Sequence, residues 1–111
     1  MSEPLRYVVL RHEGHGEPHF DLMFETETGS KLRTWQASNW PLRRRDKLVA
    51  LGAHRRDYLD YEGPVSRDRG FVKRVDSGTF VPLENNEETF MFRLNDKVVH
   101  FRLRGGEWLV S

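Results

Sequence analysis

Apolar and polar residues alternate with a period of two along most of this chain, and turn-forming clusters cut the alternation into short segments. Such alternation puts one set of side chains on each face of an extended strand. The runs 6–12, 19–25 and 31–37 are rich in β-branched and aromatic residues and read as strands. So do 47–51, 70–75, 88–94, 97–103 and 107–110. The stretch 79–82 reads as a further short pairing segment. Thr28-Gly29, Asp76-Ser77-Gly78, Asn95-Asp96 and Gly105-Gly106 favour tight reversals between strands. No segment keeps a 3.6-residue apolar period, so helix is expected to be short or peripheral. About eight strands at this spacing predict an all-β fold, a small and mostly antiparallel β-barrel. No linker or repeat divides 1–111, which reads as a single domain.

The alternation also assigns faces. Phe20, Leu22 and Phe24 form an apolar row that should point into the core. Phe90 and Phe92 should meet Phe101 and Leu103 across a hairpin with an aromatic inner face. His100 lies among outward positions and is expected to be a solvated surface histidine. His19, Asp21, Met23 and Glu25 share the second face of their strand.

Composition narrows the class. A chain of 111 residues is enough for one core, and 37% hydrophobic residues can fill it. The absence of cysteine excludes disulfides and thiolate metal sites. No apolar run approaches the roughly 18 residues of a membrane span. The opening Met1-Ser2-Glu3-Pro4 lacks the features of a signal peptide, so a cytoplasmic location is expected, with no membrane partner. Net charge is only +1, yet residues 43–74 hold ten lysines and arginines against five acids. That excess suits a phosphate-bearing partner and equally suits an ordinary solvated surface.

His19 and Asp21, two positions apart on one strand face, are close enough to share a cation. His12 ends the preceding strand, and antiparallel pairing would bring it beside them at the barrel mouth. Two imidazoles and a carboxylate suit Mn²⁺, Fe²⁺ or Zn²⁺ and leave positions open for water and substrate. His15, in the connecting loop, is an alternative to His12. Spacing alone fits equally a polar face turned to solvent.

These same residues carry a family resemblance. Arg6-Tyr-Val-Val-Leu-Arg-His12, His19-Phe-Asp-Leu-Met-Phe-Glu25 and Leu32-Arg-Thr-Trp35 resemble the opening of the phosphoesterase domain of bacterial DNA ligase D. His54-Arg-Arg-Asp-Tyr58-Leu-Asp-Tyr-Glu62-Gly63 is similar to that family's His-Pro-Leu-Asp-Tyr-x-x-Phe-Glu-Gly, and Asp76-Ser-Gly-Thr-Phe80 to its Asp-Arg-Gly-Thr-Trp. The resemblance runs over roughly residues 5 to 110 with order kept. It implies a β-barrel that heals DNA 3′ ends in break repair, removing a 3′-phosphate or terminal ribonucleotide with a divalent metal, typically Mn²⁺. It implies His12, His19 and Asp21 as metal ligands, and His54 with Tyr58 as the catalytic, phosphate-facing pair. Arg45 or Lys47 matches the family's basic phosphate contact before the fourth strand. A separate ligase or polymerase would be the partner that completes repair.

Three departures bear on activity. The family's strand arginine is Met23 here, and a thioether cannot grip a phosphate as a guanidinium does. The His12–His19 spacing is one residue longer than the family's. The family's Glu-Gly-x-Tyr-Gly-Ala-Gly loop is replaced by Ser66-Arg-Asp-Arg-Gly-Phe71, whose Arg67 or Arg69 is placed to restore the charge. Without the resemblance, His54, Tyr58 and Tyr61 read as a strand end and aromatics packed on the barrel. Trp35, Trp40 and Trp108 read as core or rim packing, with Trp40 the one suited to stacking a base. Three functions follow: a metal-dependent 3′-phosphoesterase, a non-catalytic DNA-end-binding or repair-accessory module, or a barrel acting on a small phosphorylated molecule.

Overall fold

Nine strands make up the fold in the computed structural model, which describes residues 4–27 and 29–111. They are β1 (Leu5–Glu13), β2 (His19–Phe24), β3 (Lys31–Ala37), β4 (Lys47–Arg55), β5 (Gly63–Pro64), β6 (Phe71–Asn85), β7 (Thr89–Leu94), β8 (Lys97–Arg104) and β9 (Glu107–Val110). All pair antiparallel, in the order β1-β2-β3-β4-β9-β8-β7-β6, and β6 pairs back onto β1 to close an eight-stranded barrel. β5 lies outside, on the first residues of β6. The sole helical element among the described residues is a 3₁₀ turn, Arg56–Leu59. The expected barrel is therefore what the chain forms. No helix among the described residues is long and apolar enough to cross a membrane. Met1–Glu3, and Thr28 in the first expected reversal, lie outside the described residues.

One expected turn is absent. Segments 70–75 and 79–82 are parts of the single strand β6, and Asp76-Ser77-Gly78 runs through it without reversing. The register against β1 shifts there, with Val9 opposite Asp76 and Leu10 opposite Arg74, so Val75 is the extra residue of a bulge. Asp76 Oδ1 accepts the Ser77 N–H at 2.8 Å, and Gly78 leaves room for the Tyr7 ring. Turn-prone residues here bend a long strand, which lets β6 reach from β1 to β7 and close the barrel. Gly105-Gly106 does reverse the chain, both at positive φ, joining β8 to β9 with two residues.

Inside the barrel, Phe24 is the hub. Its ring lies between 4.9 and 6.0 Å, centroid to centroid, from Trp35, Phe80, Phe90, Phe92 and Phe101. Leu22, Phe90, Phe92 and Phe101 are buried as expected, and Phe20 and Leu103 pack on their edge. Arg33 closes one end, its guanidinium 4.7 Å from the Trp35 ring and 5.4 Å from Trp108.

A second apolar layer covers the outer face of the paired strands β1 and β2. Val8, Leu10, Met23, Leu32, Leu59 and Val72 are buried together, with Tyr58 and Val65 against them. The 56–65 segment forms this cover and is fastened by polar contacts: Arg6 to Asp60 at 2.7 Å, Arg56 to Glu25, and the Arg74 N–H to Glu62 Oε2 at 2.8 Å. The second face of β2 is thus not a solvent face, and Asp21 is only 4% exposed. His100 also departs from expectation: it is half-buried, its Nε2 is enclosed without a hydrogen-bond partner among the described residues, and burial lowers its pKa.

Burial first, then the Asp76 charge and hydrogen bond, pushes the Tyr7 phenol up to about 12. The folded state holds this proton more tightly than the unfolded chain, so its stabilisation is complete below about pH 10 and fades as pH rises towards 12. In an ultraviolet titration the Tyr7 phenol should ionise at about 12, and Tyr7→Phe should remove that step. A Tyr7 that ionises at the ordinary tyrosine value would contradict this burial.

Candidate metal and phosphate site

The β1–β2 register sets the geometry. His12 pairs with His19, and Leu10 with Asp21, so His12, His19 and Asp21 stand on one face as cross-strand and next-but-one neighbours. His12 Nδ1 lies 3.3 Å from Asp21 Oδ2, and His19 Nε2 lies 3.3 Å from Asp21 Oδ1. One ligand atom from each falls within 4.8 Å of the others. The group sits on the outer face of the hairpin, not at the barrel mouth, because the inner face is taken by Leu22, Phe24 and the aromatic core. His15 lines the cleft with its ring 6.1 Å from that of His12, but lies outside this group.

The remaining ring nitrogens are already engaged. His12 Nε2 is 2.7 Å from the Arg69 carbonyl, and His19 Nδ1 is 2.9 Å from the Glu17 carbonyl. A carbonyl only accepts, so each of these nitrogens carries a proton, and in the neutral form of each ring the nitrogen facing Asp21 bears the lone pair. Asp21 Oδ1 is closed off from solvent and accepts no hydrogen bond from any described residue. A buried carboxylate facing two lone pairs is electrostatically incomplete, and a divalent cation completes it. The donor set therefore fits a metal.

Around this group opens a cleft of about 820 Å³. His54, Arg55, Tyr58, Arg67 and Arg69 line it with the three candidate ligands. The His54 Nδ1–H donates to the Gly52 carbonyl at 2.8 Å, which leaves Nε2 as its lone-pair nitrogen. Its ring meets that of Tyr58 at 5.7 Å, so Tyr58 both packs on the outer apolar layer and lines the cleft. Arg69 is folded back, its Nε–H donating to the Ser66 carbonyl at 3.0 Å.

Neither a family model nor a curated protein matches this chain. Arg45 and Lys47 do not join the cleft. They sit at or before the start of β4, roughly 26 Å along an extended strand from its last residue, Arg55. Lys47 pairs with Glu107 at 3.3 Å, and the Arg45 N–H donates to the Val110 carbonyl at 2.7 Å. Trp40 packs against the barrel core, away from the cleft, as do Trp35 and Trp108 within it. Met23 is 1% exposed and belongs to the outer apolar layer, so no cation reaches the cleft from that position of β2. Arg55 stands next to His54 in the sequence, where it suits a nucleic-acid surface; its membership of the cleft follows from β4 running four residues beyond the expected Leu51. The group can hold a cation, and the arginine-bearing wall can hold an anion beside it.

Proposed function

We propose that this chain is a metal-dependent phosphoesterase acting on the 3′ ends of nucleic acid. One observation carries the reading: a buried carboxylate with an unpartnered oxygen lies between two imidazole nitrogens, in a cleft walled by arginines. The resemblance to the ligase D phosphoesterase supplies the substrate class. His12, His19 and Asp21 would hold the ion; the donor set suits Mn²⁺, Fe²⁺ or Zn²⁺, and the resemblance to the ligase D phosphoesterase selects Mn²⁺ among them. Such an ion supplies Lewis-acid stabilisation and lowers the pKa of a coordinated water. Arg55, Arg67 and Arg69 hold the phosphate oxygens and favour the charge that develops on them. His54, positioned by Gly52 and Tyr58, keeps Nε2 to take up a proton as a general base and to return it as an acid.

Release of phosphate from a 3′-phosphate primer-template in the presence of Mn²⁺ tests this directly. Turnover should vanish with chelator, and binding should weaken steeply with salt. Equal turnover on a small phosphomonoester would move the substrate class away from nucleic acid. A second reading, a DNA-end-binding accessory module, draws on Met23: the strand position that would carry a cation is apolar and buried. Losing one charge-stabilising donor typically costs about 10²–10³ in turnover. Weak activity that falls further in Arg67→Ala and Arg69→Ala supports the enzyme. Tight metal-dependent binding of DNA ends with no turnover supports the accessory module.

A further inference from the structure

We infer that Gly70 and the carbonyl of Arg69 are positioning elements that lock His12 in the tautomer presenting Nδ1 to the metal group. The inference rests on the reading of His12 as a ligand and deepens it. Arg69 is 57 residues away in the chain, yet its carbonyl lies 2.7 Å from His12 Nε2. What brings it there is a backbone-to-backbone contact. Gly70 has φ +79, and a β-carbon on it would stand 2.0 Å from the Glu13 carbonyl oxygen and 2.9 Å from the Gly14 carbonyl carbon. Gly14, at φ +85, faces it in turn: a β-carbon there would lie 3.1 Å from Gly70 Cα. Two glycines thus let the 66–70 loop press on the end of β1, and any side chain at 70 must push it off.

The loop is built to keep that position. The Val65 N–H donates to the Gly70 carbonyl at 2.8 Å, the Arg69 guanidinium is tied to Ser66, and β5 pins Gly63 and Pro64 to the start of β6. Arg67 and Asp68 both adopt positive φ, at +63 and +57, a conformation that non-glycine residues hold only when their surroundings impose it. With Nε2–H donated to a carbonyl, Nδ1 is left bare and aimed at Asp21. The same loop carries Arg67 and Arg69 into the cleft, so one element sets both the ligand's tautomer and the anion wall.

Nitrogen-15 NMR of the imidazoles in the metal-free protein reads the tautomer, and titration with Zn²⁺ or Mn²⁺ reads affinity. The wild type should carry its His12 proton on Nε2. Gly70→Ala should return His12 to the mixed tautomers of a free imidazole and weaken metal binding by about 10–100-fold. Gly14→Ala, with its milder contact, should do the same to a smaller degree. Arg69→Ala keeps the carbonyl and should leave the tautomer unchanged. A wild-type His12 protonated on Nδ1 would overturn the inference, as would a folded Gly70→Ala with wild-type tautomer and affinity. Should Gly70→Ala not fold, Gly14→Ala and the wild-type spectrum decide. A wild type with the expected tautomer that binds no metal sinks the metal reading and leaves the lock standing.

Discussion

Phe24→Ala should remove about 3–5 kcal/mol of folding stability. Phe24 is 2% exposed and touches five other aromatic rings drawn from β3, β6, β7 and β8, so its removal leaves a void with walls on four strands. Those walls belong to different parts of a closed barrel and cannot collapse together without shifting paired strands. Leu22→Ala, on the same face, should cost about 2–5 kcal/mol. Chemical denaturation of both variants checks this, and a loss below about 1 kcal/mol for Phe24→Ala would contradict the packing described.

Asp21→Asn should act in opposite directions on stability and on metal binding. In the metal-free protein the carboxylate is 4% exposed, with one oxygen unpartnered and imidazole lone pairs on both sides. An amide of the same shape carries no charge, and its NH2 can donate to one of the two imidazole nitrogens. The metal-free variant should therefore gain about 1–3 kcal/mol, the usual cost of a buried polar group left unsatisfied. Its metal affinity should fall by at least about 100-fold, more than the loss typical of disturbing an outer hydrogen bond. Thermal melts with chelator and with Mn²⁺ read both effects. A metal-free Asp21→Asn that is less stable than the wild type would show that Asp21 is satisfied by other means.

How far the sequence foretold this follows from which interactions are local. Period-two alternation located β1 to β4 and β7 to β9 because each strand's faces are decided by its own residues. His12, His19 and Asp21 were legible for the same reason: a two-residue spacing and one antiparallel pairing suffice to bring them together. The outer apolar layer was not legible. Met23 reads as an outward residue until the 56–65 segment, more than thirty residues on, folds over it. The bulge at Val75 was equally hidden, since Asp-Ser-Gly describes a bend within a strand as well as a turn between two. Arg45 and Lys47 stand apart from the cleft for a reason of length: β4 extends to Arg55, and its two ends lie far apart.

β4 has a further consequence, for motion. It pairs with β3 along its length but with β9 only through Lys47 and Leu48, so one side of 49–55 has no strand partner among the described residues. β1 and β2 are each paired on both sides. Amide hydrogens of the β1–β2 hairpin should exchange only when the whole molecule unfolds, whereas those of Val49–Arg55 exchange through local opening of a single ladder. His12 and Asp21 thus ride on backbone paired on both sides, and His54 on a stretch paired on one. The two halves of the cleft have different clocks: a fixed floor, and a wall on β4 that breathes on its own.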